Sequence, residues 1–214
     1  MTVAATRICL VRHGETAWNA ERRIQGQLDV PLNANGVAQA RAVANTLRHE
    51  SFDAIYSSDL ARARHTADAV AHVLHLPVTP LADLRERNFG VYQNLTRAEW
   101  RARHPDNFAR FERRDVDHAV PGGESLRRFA DRVLACVAGL AERHPGGQIL
   151  LVAHRGVLDA VYRRATGRPL DTARDFDLPN AALNWIEVEG QRWTVLAWAD
   201  RGHLSVAGQE ELQR

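Results

Sequence analysis

The sequence predicts an α/β fold: a three-layer sandwich with a mainly parallel central sheet, helices on both faces, a small helical lid and a C-terminal antiparallel hairpin. Three observations carry this reading. Strand-like runs at residues 7–11, 54–57 and 149–153 are each followed by apolar residues at helical spacing, which is the sequence form of βαβ units. The stretch from Thr96 to about Arg114 is helical in pattern, polar and rich in aromatics, as an inserted lid would be. Near the end, residues 185–188 and 192–199 pair around Gly190 as an antiparallel hairpin.

The first strand leads into a long loop and then a helix with Val37, Ala40, Ala44 and Leu47 on one face and Asn33 as N-cap. The second strand precedes a helix carrying Ala63, Ala67, Val70 and Leu74, with Asp59 as the expected cap. Pro77-Val78-Thr79 fits an edge strand, because proline cannot donate to a central ladder. In the lid, Thr96 and Glu99 have the spacing of a capping box, and Pro121-Gly122-Gly123 closes the region. Leu126, Phe129, Val133, Val137 and Leu140 then line a long helix that Pro145-Gly146-Gly147 terminates. The strand at 149–153 is apolar throughout, as one covered on both faces should be. A helix through Val157, Leu158, Val161 and Ala165 follows it and stops at Gly167.

A chain of 214 residues with 45% hydrophobic content can bury a full core, so one domain over 1–214 is expected, with the lid inserted at about 91–120. The formal charge is only +2, from 28 basic and 26 acidic residues scattered along the chain, which argues against a nucleic-acid partner. Cys9 and Cys136 have no C-x-x-C partner and read as small core residues. The polar start, Met1 to Thr6, lacks the regions of a signal peptide, and no apolar stretch reaches membrane-spanning length. A cytoplasmic protein with no membrane partner is therefore expected, and a homodimer is the default assembly.

Arg12-His13-Gly14-Glu15-Thr16 stands directly behind the first strand, and His154 directly behind the third. In an open α/β sheet the carboxyl ends of parallel strands face the ligand crevice, where an imidazole beside a guanidinium can meet a phosphoryl group. The other eight histidines read as surface residues. His72 and His75 lack the third ligand a catalytic zinc needs, so no metal is expected.

Together with Asn19, the first block resembles the signature of the histidine phosphatase superfamily, which includes cofactor-dependent phosphoglycerate mutases and many small-molecule phosphatases. The resemblance continues through Gln25-Gly26, Pro31-Leu32 and Gly36, then Tyr56-Ser57-Ser58-Asp59-Leu60-Ala61-Arg62-Ala63 with Thr66-Ala67. It extends to Leu84-Arg85-Glu86 with Phe89-Gly90, to Pro121-Gly122-Gly123-Glu124-Ser125 and to Val152-Ala153-His154. Two departures stand out. Arg155 occupies a position where many relatives carry glycine, and Gln93-Asn94 replaces a common Glu-Gly.

The resemblance implies metal-independent hydrolysis of phosphate monoesters of small metabolites. His13 would attack phosphorus through one ring nitrogen while a carbonyl, that of Gly14, fixes the other, giving a phosphohistidine. Arg12 and Arg62 would grip the phosphoryl oxygens with forked donors, and Asn19 and His154 would complete the clamp. Glu86 would protonate the leaving oxygen and then activate water. Asp83 is its nearest rival, and an ion pair with Arg85 or Arg87 is the ordinary alternative for Glu86 itself. Gln25 and Gly26 would close one side of the pocket, Thr16 would be a minor phosphate donor, and Glu15 would orient the arginines. Arg155 either adds positive charge at the rim or points to solvent.

A phosphatase of this kind needs no cofactor. The alternative is a phosphoglycerate mutase using the same phosphohistidine, which requires a 2,3-bisphosphoglycerate primer; Arg113-Arg114 would imitate part of its basic set. Only thirty residues separate Gly90 from Pro121, a short lid for a mutase. Trp100, Phe108 and Phe111 would suit an apolar leaving group, which favours the phosphatase. A third reading is a non-catalytic module that binds a phosphorylated partner.

Overall fold

The computed structural model describes residues 4–204, so Met1 to Val3 of the polar start lie outside the described residues. Six strands form one sheet: β1 (Thr6–Arg12), β2 (Ala54–Ser58), β3 (Val78–Leu81), β4 (Gln148–Ala153), β5 (Leu183–Glu189) and β6 (Arg192–Asp200). Their order is β3-β2-β4-β1-β5-β6. The pairs β1/β4, β2/β4 and β2/β3 are parallel, and β5 and β6 add the antiparallel hairpin beside β1.

Alternation along β1 explains the layers, because successive strand side chains point to opposite faces. Ile8 and Leu10 join Ile149 and Leu151 in a core beneath α6 (Leu126–Arg143) and α7 (Arg155–Thr166). Cys9 and Val11 join Leu150, Val152 and Ile55 beneath α2 (Ala34–Leu47) and α3 (Ala61–Leu74). With both faces covered, the central runs 8–11 of β1 and 149–153 of β4 are apolar at every position, and the polar residues Thr6, Arg7, Arg12 and Gln148 fall at the strand ends. At the sheet edge, β3 tolerates Pro80, one step beyond the expected Pro77-Val78-Thr79.

Several expectations are corrected. The loop after β1 contains a single helical turn, α1 (Ala17–Ala20), closed by a Thr16/Asn19 capping box. Asp59 does not cap α3. Leu60 holds the N-cap position, Asp59 pairs with Arg85 at 2.5 Å, and Asp29 accepts from Ala61 N–H at 2.7 Å. The cap thus comes from 32 residues away, out of reach of a local pattern. Three of the eight other histidines are half-buried and bonded: His118 meets Asn107, His144 meets Tyr56 OH, and His203 meets Ala181 O.

The region after Gly90 forms α4 (Arg97–Arg103) and α5 (Pro105–Glu112). They separate at His104 because Pro105 takes a first-turn position, where its missing N–H costs nothing. The Thr96/Glu99 capping box is present. Trp100 and Phe108 turn into a small core with Tyr92 and Val120, and Trp100 stacks on Tyr92 at 4.4 Å. Neither ring is therefore offered to a leaving group; Phe89 and Phe111 are the aromatics of this region that reach the cavity. No helix of the described residues is long and apolar enough to cross a membrane.

Candidate active site

Strand register brings the two histidines together. Arg12 pairs with Ala153 across β1 and β4, so the next residues, His13 and His154, leave adjacent strand ends with ring centroids 5.1 Å apart. His13 N–H donates to Ala153 O at 2.9 Å, and Asn180 Nδ2 donates to His13 O at 2.8 Å. His13 Nδ1 lies 2.7 Å from Gly14 O. A carbonyl only accepts, so Nδ1 carries the proton and Nε2 of the neutral ring keeps its lone pair. Burial, then the charges of Arg62 and Arg12, hold His13 well below the usual histidine pKa. Burial and Arg62 do the same for His154.

His154 stands behind His13, fully buried, and is not part of the cavity wall. Its Nε2 meets Ser58 Oγ at 2.8 Å, and its buried Nδ1 has no partner among the described residues. Arg62 is not a solvated helix side chain. It is fully buried, donating to Leu28 O at 2.8 Å and Gly26 O at 2.7 Å, with Nε unpaired. Arg12 donates to Leu178 O at 2.7 Å and also keeps a buried, unpaired Nε. Both guanidinium groups are pushed down to about 10, by burial first. Buried donors without partners are costly, and these sit on residues that converge on one end of a cavity of about 700 Å³.

The loop bearing Glu86 is fixed from two sides. Glu86 Oε1 accepts from Arg87 N–H at 2.8 Å, and Oε2 accepts from Gly156 N–H at 3.0 Å, on the first turn of α7. A Cβ at position 156 would lie 2.2 Å from Glu86 Oε1 and 2.9 Å from Phe129 Cζ, so any side chain there would push the Glu86 carboxylate out of this position. Arg132 donates to the carbonyls of Asp83 and Arg85, and Glu124 receives both Arg132 and Asn88 N–H. Glu86 has no ion pair with its neighbours: Arg85 is taken by Asp59, and buried Arg87 by the carbonyls of Glu124 and His118. Asp83 is exposed and lies off the cavity wall.

Gln25 and Gly26 form one side of the cavity. Gly26 adopts φ +53°, and a Cβ there would lie 2.1 Å from Gln93 Oε1, which itself accepts from Gln27 N–H at 2.7 Å. The Gln93 departure thus supports this wall from behind. Asn19 lines the cavity, its oxygen held by Thr16 N–H and Oγ1 at 3.1 Å. Thr16 itself is fully buried off the wall, its hydroxyl committed to Asn19, which does not fit a phosphate donor. Glu15 does not orient an arginine; it holds Asn33 Nδ2 at 2.8 Å. Arg155 is exposed at the cavity rim, and Arg113 is exposed and off the wall.

Sequence reasoning missed the far wall. Asp159, nearly buried, receives Arg114 at 2.9 Å, Arg163 at 3.2 Å and Arg174 at 3.0 Å. Despite burial, Arg174 and Arg114 hold its carboxyl below the usual range. Asn180, Arg174 and Arg87 also line the cavity. The available signal for Asn180 was its position just ahead of β5, the strand beside β1.

The sequence profile of the histidine phosphatase superfamily (branch 1) matches residues 8–201. A metal-independent phosphoserine phosphatase of Arabidopsis thaliana is 40% identical over 206 residues, covering 95% of this chain and 85% of that protein. Phosphoglycerate mutase-like protein 4 of the same plant is 40% identical over 206 residues, covering 94% and 88%. Among solved structures, YhfR of Bacillus stearothermophilus superposes with a TM-score of 0.88 at 32% identity, covering 93% of this chain and 99% of that one.

Proposed function

The chain belongs to the histidine phosphatase superfamily, branch 1, and from that premise we propose that it hydrolyses phosphate monoesters of small metabolites through a phosphohistidine on His13, without a metal ion. The observation that carries the reading is the 2.7 Å hydrogen bond from His13 Nδ1 to Gly14 O. It leaves Nε2 as the nucleophile, and the lowered pKa keeps that nitrogen unprotonated at neutral pH.

In the first step Nε2 bonds to phosphorus, the P–O ester bond breaks, and the leaving oxygen takes the proton of Glu86. In the second, the Glu86 carboxylate takes a proton from water, whose oxygen bonds to phosphorus as the P–N bond breaks. Phosphate leaves with His13 neutral and Glu86 protonated again. Between the steps, the N–H groups of Arg87 and Gly156 and the N-terminus of α7 hold the carboxylate. Arg12 and Arg62 offer their unpaired Nε donors to the phosphoryl oxygens, where charge spreads in the transition state. Asn19 contributes its amide nitrogen, and His154, buried off the cavity wall, completes the clamp from behind by packing against the His13 ring. Gln25 flanks that end, and Gly26 acts by fixing Arg62.

The Arabidopsis relative named as a metal-independent phosphoserine phosphatase supports hydrolysis without metal. The mutase-like relative keeps the transfer reading in view. Against it, Arg114 is committed to Asp159 and Leu170 O, and Arg113 lies away from the cavity. The reading includes a cytoplasmic setting, where phosphorylated metabolites are abundant.

A panel of phosphate monoesters assayed with a chelator present, beside phosphoglycerate interconversion primed with 2,3-bisphosphoglycerate, tests the proposal. Chelator-resistant phosphate release is expected. Primer-dependent isomerisation outpacing phosphate release would overturn it.

A further inference from the structure

Most arginines around the cavity are committed to partners inside the protein. Arg114 and Arg174 lie on Asp159, Arg97 on Glu112, and Arg23 on Glu21 and Glu99. Among the described residues, Arg22 and Arg155 line the cavity with guanidinium groups that make no hydrogen bond or ion pair.

Arg155 has the placement of a ligand group. It follows His154 at the first position of α7, beside Gly156, whose N–H holds Glu86. A cation at a helix N-terminus opposes the helix dipole, so the fold gains nothing from arginine there. Like charges crowd it as well. Burial and then the charge of Arg155 push Arg12 down to about 10, and burial and then Arg174 lower Arg155. On the same side, Arg114 and Arg174 of the wall share the single carboxylate of Asp159 with buried Arg163 behind them, which leaves surplus positive charge on the wall.

We infer that Arg155 receives a second anionic group of the substrate, on the leaving-group side of the ester. The inference rests on the phosphatase reading and narrows it: preferred substrates carry a carboxylate or a second phosphate beside the phosphoryl group that is transferred. A forked guanidinium can bind either anion through two parallel hydrogen bonds.

Two substrate pairs separate the sources of that anion: 3-phosphoglycerate against glycerol 3-phosphate, and fructose 1,6-bisphosphate against fructose 6-phosphate. The readout is the ratio of kcat/KM within each pair. The parent protein should prefer the more anionic member of at least one pair. Arg155→Ala should cut that preference about ten- to a hundredfold, with partial recovery in Arg155→Lys. No preference in either pair, or equal losses for both members in Arg155→Ala, would overturn the assignment. Calorimetric binding of the same pairs to His13→Ala protein reads the preference without turnover. A parent protein that shows the binding preference but hydrolyses none of the esters contradicts the phosphatase reading and leaves Arg155 in place; one that hydrolyses both members alike contradicts only Arg155.

Discussion

At the inner end of the cavity His13 and His154 are fixed by strands β1 and β4 and by backbone carbonyls, whereas at the outer wall Arg114 and Arg174 are fixed by the carboxylate of Asp159. The inner end takes its geometry from the sheet, so its groups cannot move without moving the fold. The outer wall takes its geometry from side-chain ion pairs and a small aromatic core, so it can change while the sheet stays intact. On the proposed function, chemistry belongs to the first region and substrate choice to the second.

The largest effect expected is at the inner end. His13→Ala should lower p-nitrophenyl phosphate turnover by roughly four orders of magnitude or more, because the nucleophile is lost. Next is the acid. Glu86→Gln should slow alkyl esters about a hundredfold, with a smaller loss for activated aryl esters, whose leaving oxygen needs no proton. Equal losses for both would reduce Glu86 to a structural role. Gly156→Ala should mimic part of this pattern, since the added methyl displaces the same carboxylate.

Asp159→Ala tests the outer wall. Denaturant titration should show a loss of about 3–5 kcal/mol, because three partly or fully buried arginines lose their shared anion. KM should rise more than kcat falls. A kcat loss matching that of His13→Ala would erase the distinction between the two regions.

The smallest effect separates them by pH. His13 and His154 stay neutral in the fold, while the unfolded chain protonates them as pH falls through the ordinary value of 6.5. Below that value the unfolded state binds more protons, so stability should fall as pH drops, by up to about 1.4 kcal/mol per pH unit for each histidine. Urea titrations of the parent and of His13→Ala between about pH 7 and about pH 5 should show a shallower slope in the variant.

The same contrast decides what was legible in the sequence. His13 and His154 could be placed together because each ends an apolar run, and parallel strands deliver their carboxyl ends to one edge. Glu86 is legible through its surrounding block, yet its contact with Gly156 joins positions 70 residues apart and has no local pattern. Asp159 reads as an ordinary polar residue of an amphipathic helix until Arg114 and Arg174 arrive from separate loops. From the sequence Trp100 and Phe108 read as pocket residues, because aromatic content does not say which way a ring faces; in the fold they face Tyr92 and Val120.

The central claim is a phosphoryl group on His13. Mixing the protein with p-nitrophenyl phosphate on the millisecond scale, quenching in alkali and mapping peptides by mass spectrometry should find phosphate on His13 Nε2, with none in Glu86-intact His13→Ala protein. A modified residue other than His13, or rapid turnover with no phosphorylated histidine under quench conditions that preserve a phosphohistidine standard, would contradict the account.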